Sequence, residues 1–343
     1  GEPCFGRNQL LLDLTRKEVR DYIVENVGKT LDSAKISYVK WDMNRHMSDA
    51  YSPALSNQGE FAHRYIIGLY EVLNRVFTPR RHILFESCSS GGNRFDLGML
   101  CYSPQIWASD DTDPIERLDI QSGLSYLYPQ STVGAHVSAA PHQQTLRDTP
   151  LSTRFNVAAF GVLGYELELK YMTHAELKEL RGQIEFYKAH RKTFQFGRFY
   201  RFDERKDNKV HWQVSSRDGK EHIVGHFQKL CTASEGPDAL CVHDLQPKAK
   251  YHLSCKRQSL FIKRLGGLVK HVMPIELDPD GLILRTANKF ITMPDGEEDF
   301  TASGAALMSG VGLNNQFLGT GYNDKIHMFG DFGSAVYVIE KKT

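Results

Sequence analysis

Hydrophobic and polar positions follow two different periods in the first 195 residues of the chain. Segments with apolar residues at helical spacing alternate with short apolar runs of strand length. The predicted strands are Gln9–Asp13, Ile36–Trp41, His82–Glu86, Gln105–Ala108, Thr132–Val137 and Tyr165–Leu169. The predicted helices are Lys17–Asp32, Gly59–Phe77, Phe95–Cys101, Pro114–Tyr126, Pro150–Phe160 and Ala175–Thr193. Strands that alternate with helices indicate βαβ units and a parallel sheet.

Several of these strands end in polar residues, which is unusual for a buried strand. One ends in Lys40, Trp41 and Asp42, and others run into the polar segments 86–92 and 107–113. Active sites of parallel α/β barrels lie at the C-terminal strand ends, so the pattern favours a (β/α)8 TIM-type barrel. A closed barrel needs eight strands. With six predicted, we expect a barrel that lacks its first two βα units, and miscounted strands are the alternative.

The pattern changes near residue 196, where the helical period largely disappears. Short alternating runs then follow at His211–Ser215, His222–Leu230, Gly281–Arg285 and Ala335–Glu340. Such runs between turn residues predict an antiparallel β-sandwich. Gly304–Gly312 is small and apolar and is expected to be a close-packed turn or strand. We therefore predict two domains, with the barrel part at residues 1–195 and the β-sandwich at residues 196–343.

Composition narrows the possible partners. The chain has 42 basic and 41 acidic residues, and this balance does not favour nucleic acid or an anionic membrane as a partner. No apolar run is long enough to span a bilayer, and no signal peptide is visible. The six cysteines lack C-x-x-C spacing and are typical of the reduced thiols of a cytoplasmic protein. His136 and His142 are possible metal ligands, although satisfied polar groups near a barrel rim are the favoured interpretation.

Two strand ends carry the carboxylates from which we expect chemistry. Asp42 ends one strand, and Asp110 follows another. Asp113 or Thr112 is expected to cap the helix that begins at Pro114. Two carboxylates at the ends of separate strands fit general-acid and nucleophile work on a glycosidic bond, with neither role assigned to either residue. The residues alone leave a second possibility open, in which Asp42, Asp110 and Asp113 hold a divalent cation.

These motifs occur together in the microbial α-galactosidases of glycoside hydrolase family 36, which the chain strongly resembles over about residues 6–190. The β-rich remainder matches that family by position only. The resemblance rests on Gly6-Arg7-Asn8-Gln9, on Lys-Trp-Asp-Met-Asn-Arg at 40–45, on Cys88-Ser89-Ser90-Gly91-Gly92, on the segment from Trp107 to Asp113, and on Ile115-Glu116-Arg117-Leu118.

The resemblance implies a retaining exo-α-galactosidase that removes terminal galactose from oligosaccharides such as melibiose and raffinose. It implies Asp42 as the nucleophile that forms a covalent glycosyl-enzyme and Asp110 as the acid/base. It implies neither a cofactor nor a metal, and it implies a full-length parent that is a homo-oligomer. The sugar-binding residues that it implies are Lys40, Asn44, Cys88, Gly91, Trp107 and, as a weaker match, Arg7.

The chain departs from the family pattern at its start. Family members carry a large N-terminal β-domain and an Asp-Asp pair at an early barrel strand, and neither is present here. We therefore expect the C-terminal half of such an enzyme, inactive or badly impaired by itself. Two other functions stay open. One is an α-N-acetylgalactosaminidase, if the wall around residues 88–91 admits an acetamido group, and the other is a non-catalytic fragment that binds sugar or assembles with other chains.

Overall fold

The computed structural model describes residues 4–202, 208–233, 238–268, 278, 281–314 and 327–342. The chain divides into two compact units. Unit 1 comprises residues 1–111 and 132–134, and unit 2 comprises residues 112–131 and 135–343. All the residues proposed above for sugar chemistry belong to unit 1.

Unit 1 is built from short parallel strands that alternate with helices. The strands pair in the order β1, β2, β3 and the first residues of β4, with Lys40 opposite Glu86 and Glu86 opposite Gln105. In chain order the elements are α1 (Lys17–Asp32), β1 (Tyr38–Trp41), α2 (Phe61–Phe77), β2 (Leu84–Ser87), α3 (Leu97–Leu100), β3 (Gln105–Trp107) and the start of β4 (Val133–Ser138).

One face of this sheet is covered by α2. Buried apolar residues recur at helical spacing along α2 and share one core cluster with Phe85 and Ile106 of the sheet. Trp41 points to the same side and packs edge-on against the Phe77 and Phe85 rings, at centroid distances of 5.9 and 6.2 Å. Successive side chains of a strand alternate between its faces, so Lys40 points to the opposite side. Trp41 therefore belongs to the core.

Unit 2 begins with further helix and strand units and continues as an antiparallel sheet. Strand β5 neighbours β4, and the N-terminus of α6 has a capping box formed by Thr173 and Glu176. The first elements are α4 (Pro114–Leu124), the remainder of β4, α5 (Leu151–Ala158), β5 (Val162–Glu166) and α6 (His174–Phe196). The later ones are β6 (Arg198–Phe202), β7 (Lys209–Ser215), β8 (Glu221–Gln228), β9 (Ala239–Leu240), β10 (Lys250–Cys255), β11 (Ser259–Phe261), α7 (Leu282–Ala287), β12 (Thr292–Pro294), β13 (Asp299–Ser303), α8 (Gly304–Ser309), β14 (Val311–Gly312) and β15 (Ser334–Lys341).

The antiparallel part of unit 2 is organised around one six-stranded sheet of order β13-β10-β15-β8-β7-β6. Two short ribbons, β11 with β12 and β9 with β14, accompany it. Phe160 lies among the aromatic rings of Phe194, Trp212 and Phe227, at centroid distances of 5.3, 5.4 and 6.1 Å. These rings join α6 to the sheet in one core.

The sequence predicted most of these elements. Every predicted helix of the first 195 residues is confirmed, as are five of the six predicted strands, with ends that shift by three residues or fewer. The runs predicted at His211–Ser215, His222–Leu230 and Ala335–Glu340 correspond to β7, β8 and β15. The described parallel strands number five, which is fewer than the eight of a closed barrel.

Three short segments differ from the sequence prediction. The strand predicted at Gln9–Asp13 is wrong: apart from an isolated bridge between Gly6 and Gln9, the described residues offer this run no partner strand. The strand predicted at Gly281–Arg285 is also wrong, because Gly281 instead precedes the helix α7. A short apolar run does not distinguish a helix from a strand by its pattern alone. Gly304–Gly312 contains both the helix α8 and the strand β14.

None of the helices in the described parts of the chain is both long enough and apolar enough to cross a membrane.

Candidate active site

The loops after β1 and β2 remain paired beyond the ends of the strands. The Cys88 N–H donates to the Trp41 carbonyl at 2.8 Å, and the Met43 N–H donates to the Cys88 carbonyl at 3.2 Å. The Ser89 hydroxyl donates to the Met43 carbonyl at 3.0 Å. These bonds place Asp42 beside Cys88 at the end of the sheet.

Asp42 is an exposed carboxylate with several hydrogen-bond donors around it. Burial of part of the group acts to raise its pKa, but hydrogen bonds from the Cys88 thiol, the Asn44 amide and the backbone N–H groups of Ser90 and Met43 hold the pKa below its usual value. The Asn44 Nδ2 atom lies 2.7 Å from Asp42 Oδ2. Asp42 is therefore ionised at neutral pH.

The orientation of the Asn44 amide is fixed from its oxygen side. Arg7 Nη1 donates to Asn44 Oδ1 at 2.8 Å, and the Ser90 hydroxyl donates to the same oxygen at 3.1 Å. Arg7 reaches this oxygen from a tight turn at residues 6–9, in which its own φ is +49°. With both donors on the oxygen, the amide nitrogen points to Asp42.

Cys88 is buried, and its thiol is a donor to Asp42. Burial and the neighbouring carboxylate raise the pKa of the Cys88 thiol to about 11. The thiol therefore stays protonated at neutral pH, where a nucleophilic role would require the thiolate. Cys88 therefore presents a neutral, polar thiol next to Asp42.

Lys40 lies between a buried carboxylate and an indole ring. Its Nζ atom is 3.4 Å from Glu86 Oε1 and 4.3 Å from the centroid of the Trp107 ring. Glu86 also accepts a hydrogen bond from the Tyr38 hydroxyl. Burial raises the pKa of Glu86 to about 7. Lys40 is thus positioned by Glu86 and Trp107.

Sequence reasoning missed Glu86 as a residue of this site. Glu86 was noted only as part of a polar strand end, and nothing in its own neighbours marks it as the partner of Lys40. One signal for Glu86 is present in the sequence. Glu86 lies two residues before Cys88, and residues two apart on a strand share a face, so both side chains point to the same side of the sheet. Recognition of the pair needed the register of β1 against β2, which places Lys40 opposite Glu86.

Asp110 lies on the loop after β3, next to the turn after β2. The Trp107 indole N–H donates to Asp110 Oδ1 at 2.9 Å. Gly91 has φ +86°, and a Cβ atom there would lie 3.0 Å from Ser109 Cα and 3.2 Å from the Asp110 nitrogen. This close approach explains the glycine at position 91. The β2 turn therefore contacts both Asp42, through the Ser90 N–H, and the backbone of Asp110.

Asp113 has the structural role that the sequence predicted for it or for Thr112. In unit 2 it is the N-cap of α4, where its Oδ1 accepts the Ile115 N–H at 2.8 Å. Arg147 Nη1 lies 2.8 Å from the same oxygen. His142 is buried and bonded to the Thr112 hydroxyl at 2.9 Å, so its interpretation as a satisfied polar group is confirmed.

Comparison with known proteins decides the family. The sequence profile of the Melibiase family matches residues 2–197, and the profile of the glycosyl hydrolase family 36 C-terminal domain matches residues 209–339. The chain belongs to glycoside hydrolase family 36. The resemblance predicted from the motifs at residues 40–45, 88–92 and 107–113 is therefore confirmed.

The family 36 relatives of the chain are α-galactosidases. The chain is 47% identical over 251 residues to the α-galactosidase AgaA of Geobacillus stearothermophilus, an alignment that covers 72% of this chain and 34% of AgaA. It is 48% identical over 242 residues to the α-galactosidase Mel36A of Lactobacillus acidophilus, covering 68% of this chain and 33% of Mel36A. The chain thus spans about a third of the length of the curated relatives that it matches.

Solved structures of family 36 enzymes share the fold of the whole chain. The crystal structure of AgaA matches with a TM-score of 0.80 and 37% sequence identity, covering 100% of this chain and 40% of AgaA. The α-galactosidase from Lactobacillus brevis matches with a TM-score of 0.81 and the same identity and coverage. Variants of AgaA have been crystallised with raffinose and with stachyose.

The first prediction concerns the close approach at Gly91. We expect Gly91→Ala to lower the free energy of unfolding of the chain by about 1–3 kcal/mol, because alanine is strained at this φ and its Cβ meets the backbone of Ser109 and Asp110. Gly182→Ala is the control, since no atom lies within 4 Å of the added Cβ inside α6. It should raise that free energy by about 0.5–1 kcal/mol. Urea unfolding measures both, and an unchanged or raised stability in Gly91→Ala would contradict the geometry.

The second prediction concerns the buried Glu86. Its pKa of about 7 in the folded chain exceeds the ordinary 4.5, so the folded state binds the proton more tightly. The contribution of Glu86 to stability is complete below pH 4.5 and is lost as the pH rises towards 7. It amounts to at most about 3 kcal/mol, since each unit of pKa difference between the folded and unfolded states corresponds to about 1.4 kcal/mol.

Glu86→Gln should remove this contribution. Its free energy of unfolding should fall less steeply than that of the unchanged chain between pH 4.5 and 7, as measured by urea unfolding at each pH. Glu25→Gln, a substitution at an exposed residue of α1, is the control and should retain the original slope. Parallel curves for the unchanged chain and Glu86→Gln would show that Glu86 does not titrate in this range.

Proposed function

We propose that this chain carries the nucleophile and the acid/base of a retaining exo-α-galactosidase. The substrates are oligosaccharides with terminal α-linked galactose, such as melibiose and raffinose. The observation that carries the proposal is the ionised Asp42 at the end of β1, which receives hydrogen bonds from Asn44 and Cys88. Asp110, on the loop after β3, is the second carboxylate.

The relatives support the reaction and the class of sugar. AgaA and Mel36A are named α-galactosidases, and the AgaA complexes with raffinose and stachyose supply two oligosaccharides that a family 36 site binds. Family membership by itself does not assign residues to steps of the reaction. The roles of the two aspartates rest on the geometry of unit 1 and on the general chemistry of retaining glycosidases.

Asp42 suits the nucleophile because its surroundings favour the charged form. One carboxylate oxygen forms a bond to the anomeric carbon of galactose while the bond from that carbon to the leaving oxygen breaks. The donors from Asn44 and Cys88 hold the carboxylate in one orientation, so little rearrangement is needed before the attack. Its exposure leaves it accessible to a sugar.

Asp110 suits the acid/base because Trp107 fixes its position through one oxygen. The hydrogen bond from the indole N–H occupies Oδ1 and leaves Oδ2 to exchange a proton with the substrate. Asp110 gives this proton to the leaving oxygen, and it later takes one from the water that hydrolyses the glycosyl-enzyme. The retaining course requires the carboxyl groups of the nucleophile and the acid/base to lie ~5–5.5 Å apart.

The remaining residues form the sugar site in this proposal. The Lys40 ammonium, held by Glu86 and Trp107, donates hydrogen bonds to galactose hydroxyls. Asn44 and Cys88 border the same space. Arg7 acts on the sugar indirectly, because its hydrogen bond holds the Asn44 amide in place. Gly91 has no side chain, and this leaves room for the sugar beside the turn after β2.

We also propose that residues 1–195 form part of a TIM-type catalytic barrel and that residues 196–343 form a C-terminal β-domain. The five described parallel strands and the six-stranded antiparallel sheet support this assignment. The two family profiles, which match on either side of residues 198–208, support the boundary near residue 196.

The third prediction separates the two catalytic roles with two substrates. In the full-length enzyme that carries this chain, Asp42→Asn should abolish turnover of both p-nitrophenyl α-galactoside and melibiose, because no glycosyl-enzyme forms. Asp110→Asn should slow melibiose hydrolysis by about 10²–10⁴-fold. It should slow formation of the glycosyl-enzyme from the aryl substrate much less, since nitrophenolate leaves without a proton. The rates of p-nitrophenol and galactose release measure these effects.

Asp49→Asn provides the control for replacing a carboxylate in the loop after β1. Asp49 is exposed and pairs with Arg45, so its replacement should change either rate by less than about threefold. Equal losses in the rate of glycosyl-enzyme formation from the two substrates in Asp110→Asn, measured as the first release of p-nitrophenol or glucose, would contradict its role as the acid. Faster turnover of the p-nitrophenyl α-N-acetylgalactosaminide than of the galactoside would instead identify an α-N-acetylgalactosaminidase.

A further inference from the structure

Three side chains with metal-binding atoms meet inside unit 2, on segments that lie far apart in the sequence. Cys255 ends β10, Glu298 directly precedes β13, and His327 precedes β15. His327 Nε2 lies 3.3 Å from the Cys255 sulfur and 3.6 Å from Glu298 Oε2. All three ligand atoms lie within 4.8 Å of one another, and within the described ranges this is the only such group of His, Cys, Asp and Glu side chains.

Among the described residues, two atoms of this cluster are buried without a hydrogen-bond partner. The side chain of His327 is 0% exposed and that of Glu298 is 6% exposed. Glu298 Oε1 accepts the Asn314 N–H, but Oε2, which faces His327, has no hydrogen-bond partner in the described part of the chain. The same holds for His327 Nδ1, which lies on the Asp295 side of the ring. Because an unsatisfied buried polar atom is costly, the cluster is expected to bind a group that satisfies it.

The His327 ring is held in place by its surroundings. A Cβ atom on Gly296, where φ is +71°, would lie 2.1 Å from the ring carbon Cε1, so only glycine leaves room for the imidazole. The Phe329 ring stacks on the imidazole at 5.3 Å with an interplanar angle of 7°. The backbone N–H of His327 donates to the backbone carbonyl of Asn314 at 3.0 Å. A rigid ring directs Nε2 towards Cys255 and Glu298.

A second carboxylate lies behind the imidazole. Asp295 Oδ1 is 3.8 Å from His327 Nδ1. The two Asp295 oxygens accept hydrogen bonds from the Met328 N–H at 2.9 Å and from Gln258 Nε2 at 2.8 Å. Histidines that bind metals usually present the other ring nitrogen to a carboxylate, which fixes the tautomer. Asp295 lies on that side of the ring, although its Oδ1 is beyond hydrogen-bond distance of Nδ1.

The donor set and its spacing suit zinc. Sulfur, imidazole nitrogen and carboxylate oxygen are the ligands that Zn²⁺ takes in proteins, with bonds of ~2.3 Å to sulfur and ~2.0–2.2 Å to nitrogen or oxygen. At tetrahedral angles these bond lengths separate neighbouring donors by roughly 3.3–3.6 Å. The distances from His327 Nε2 to the Cys255 sulfur and to Glu298 Oε2 are 3.3 and 3.6 Å, and the Cys255 and Glu298 ligand atoms lie within 4.8 Å of each other.

We propose that Cys255, Glu298 and His327 form a zinc site that links β10, the start of β13 and the segment before β15. The fourth coordination position is taken by water or by a further protein atom. The site lies in unit 2 and supports the structure of its antiparallel sheet. It is independent of the sugar chemistry proposed for unit 1.

A protonated His327 between two carboxylates is the competing explanation. Burial lowers the pKa of His327, but Asp295, Cys255 and Glu298 outweigh it and raise the pKa to about 12 when no ion is bound. An imidazolium would pair with Glu298 and Asp295 without any metal. The two explanations differ in whether the folded chain takes up one metal ion through the Cys255 thiolate.

The fourth prediction tests the zinc site on the full 343-residue chain. We expect one Zn²⁺ per chain by elemental analysis after chelator treatment, Zn²⁺ titration and desalting, and a higher melting temperature with Zn²⁺ than without. Co²⁺ in place of Zn²⁺ should give a thiolate charge-transfer band in the near ultraviolet. Cys255→Ser should abolish that band and weaken Zn²⁺ binding by at least tenfold, and Asp295→Asn should weaken binding by about 10–100-fold.

Cys241→Ser, at an exposed cysteine of unit 2, is the control and should leave the band and the affinity unchanged. The proposal is overturned if the folded wild-type chain takes up no Zn²⁺ or Co²⁺, which would favour the imidazolium. It is also overturned if Cys255→Ser retains the band, because the metal then lies elsewhere. The wild-type titration requires no variant, so a variant that fails to fold does not prevent the test.

Discussion

The parallel pairing of β1 with β2 determines the arrangement of the candidate active site. It places Lys40 opposite Glu86, and the pairing continues past the strand ends through the hydrogen bonds of Cys88 with Trp41 and Met43. A shift of one residue in this register would move every side chain to the other face of the sheet. The polar side chains would then face the core that α2 covers.

The two carboxyl groups of Asp42 and Glu86 differ in protonation because their surroundings differ. Asp42 lies among hydrogen-bond donors, which favour its charged form, whereas burial favours the neutral form of Glu86. Trp107 contacts two residues of the site. Its ring lies beneath the Lys40 ammonium, and its indole N–H donates to Asp110. One buried indole therefore positions both a proposed sugar-binding cation and the proposed acid/base.

Sequence periodicity predicted the helices and most strands because each depends on local spacing of apolar residues. Polar residues at element ends predicted the cap at Asp113, which the structure shows, and singled out Asp42 and Asp110, whose roles stay predictions. The strand predicted at Gln9–Asp13 was wrong because strand formation depends on a partner that the run itself does not reveal. Glu86 and the cluster around His327 were missed because they form only when distant segments pack together.

The central claim is that Asp42 is the nucleophile, and covalent trapping tests it most directly. A fluorinated galactosyl fluoride forms a glycosyl-enzyme that hydrolyses slowly, so the modified peptide can be identified by mass spectrometry after digestion of the protein. The proposed mechanism predicts one sugar adduct, on Asp42. An adduct on Asp110 or on any other residue, with the Asp42 peptide unmodified, would contradict it.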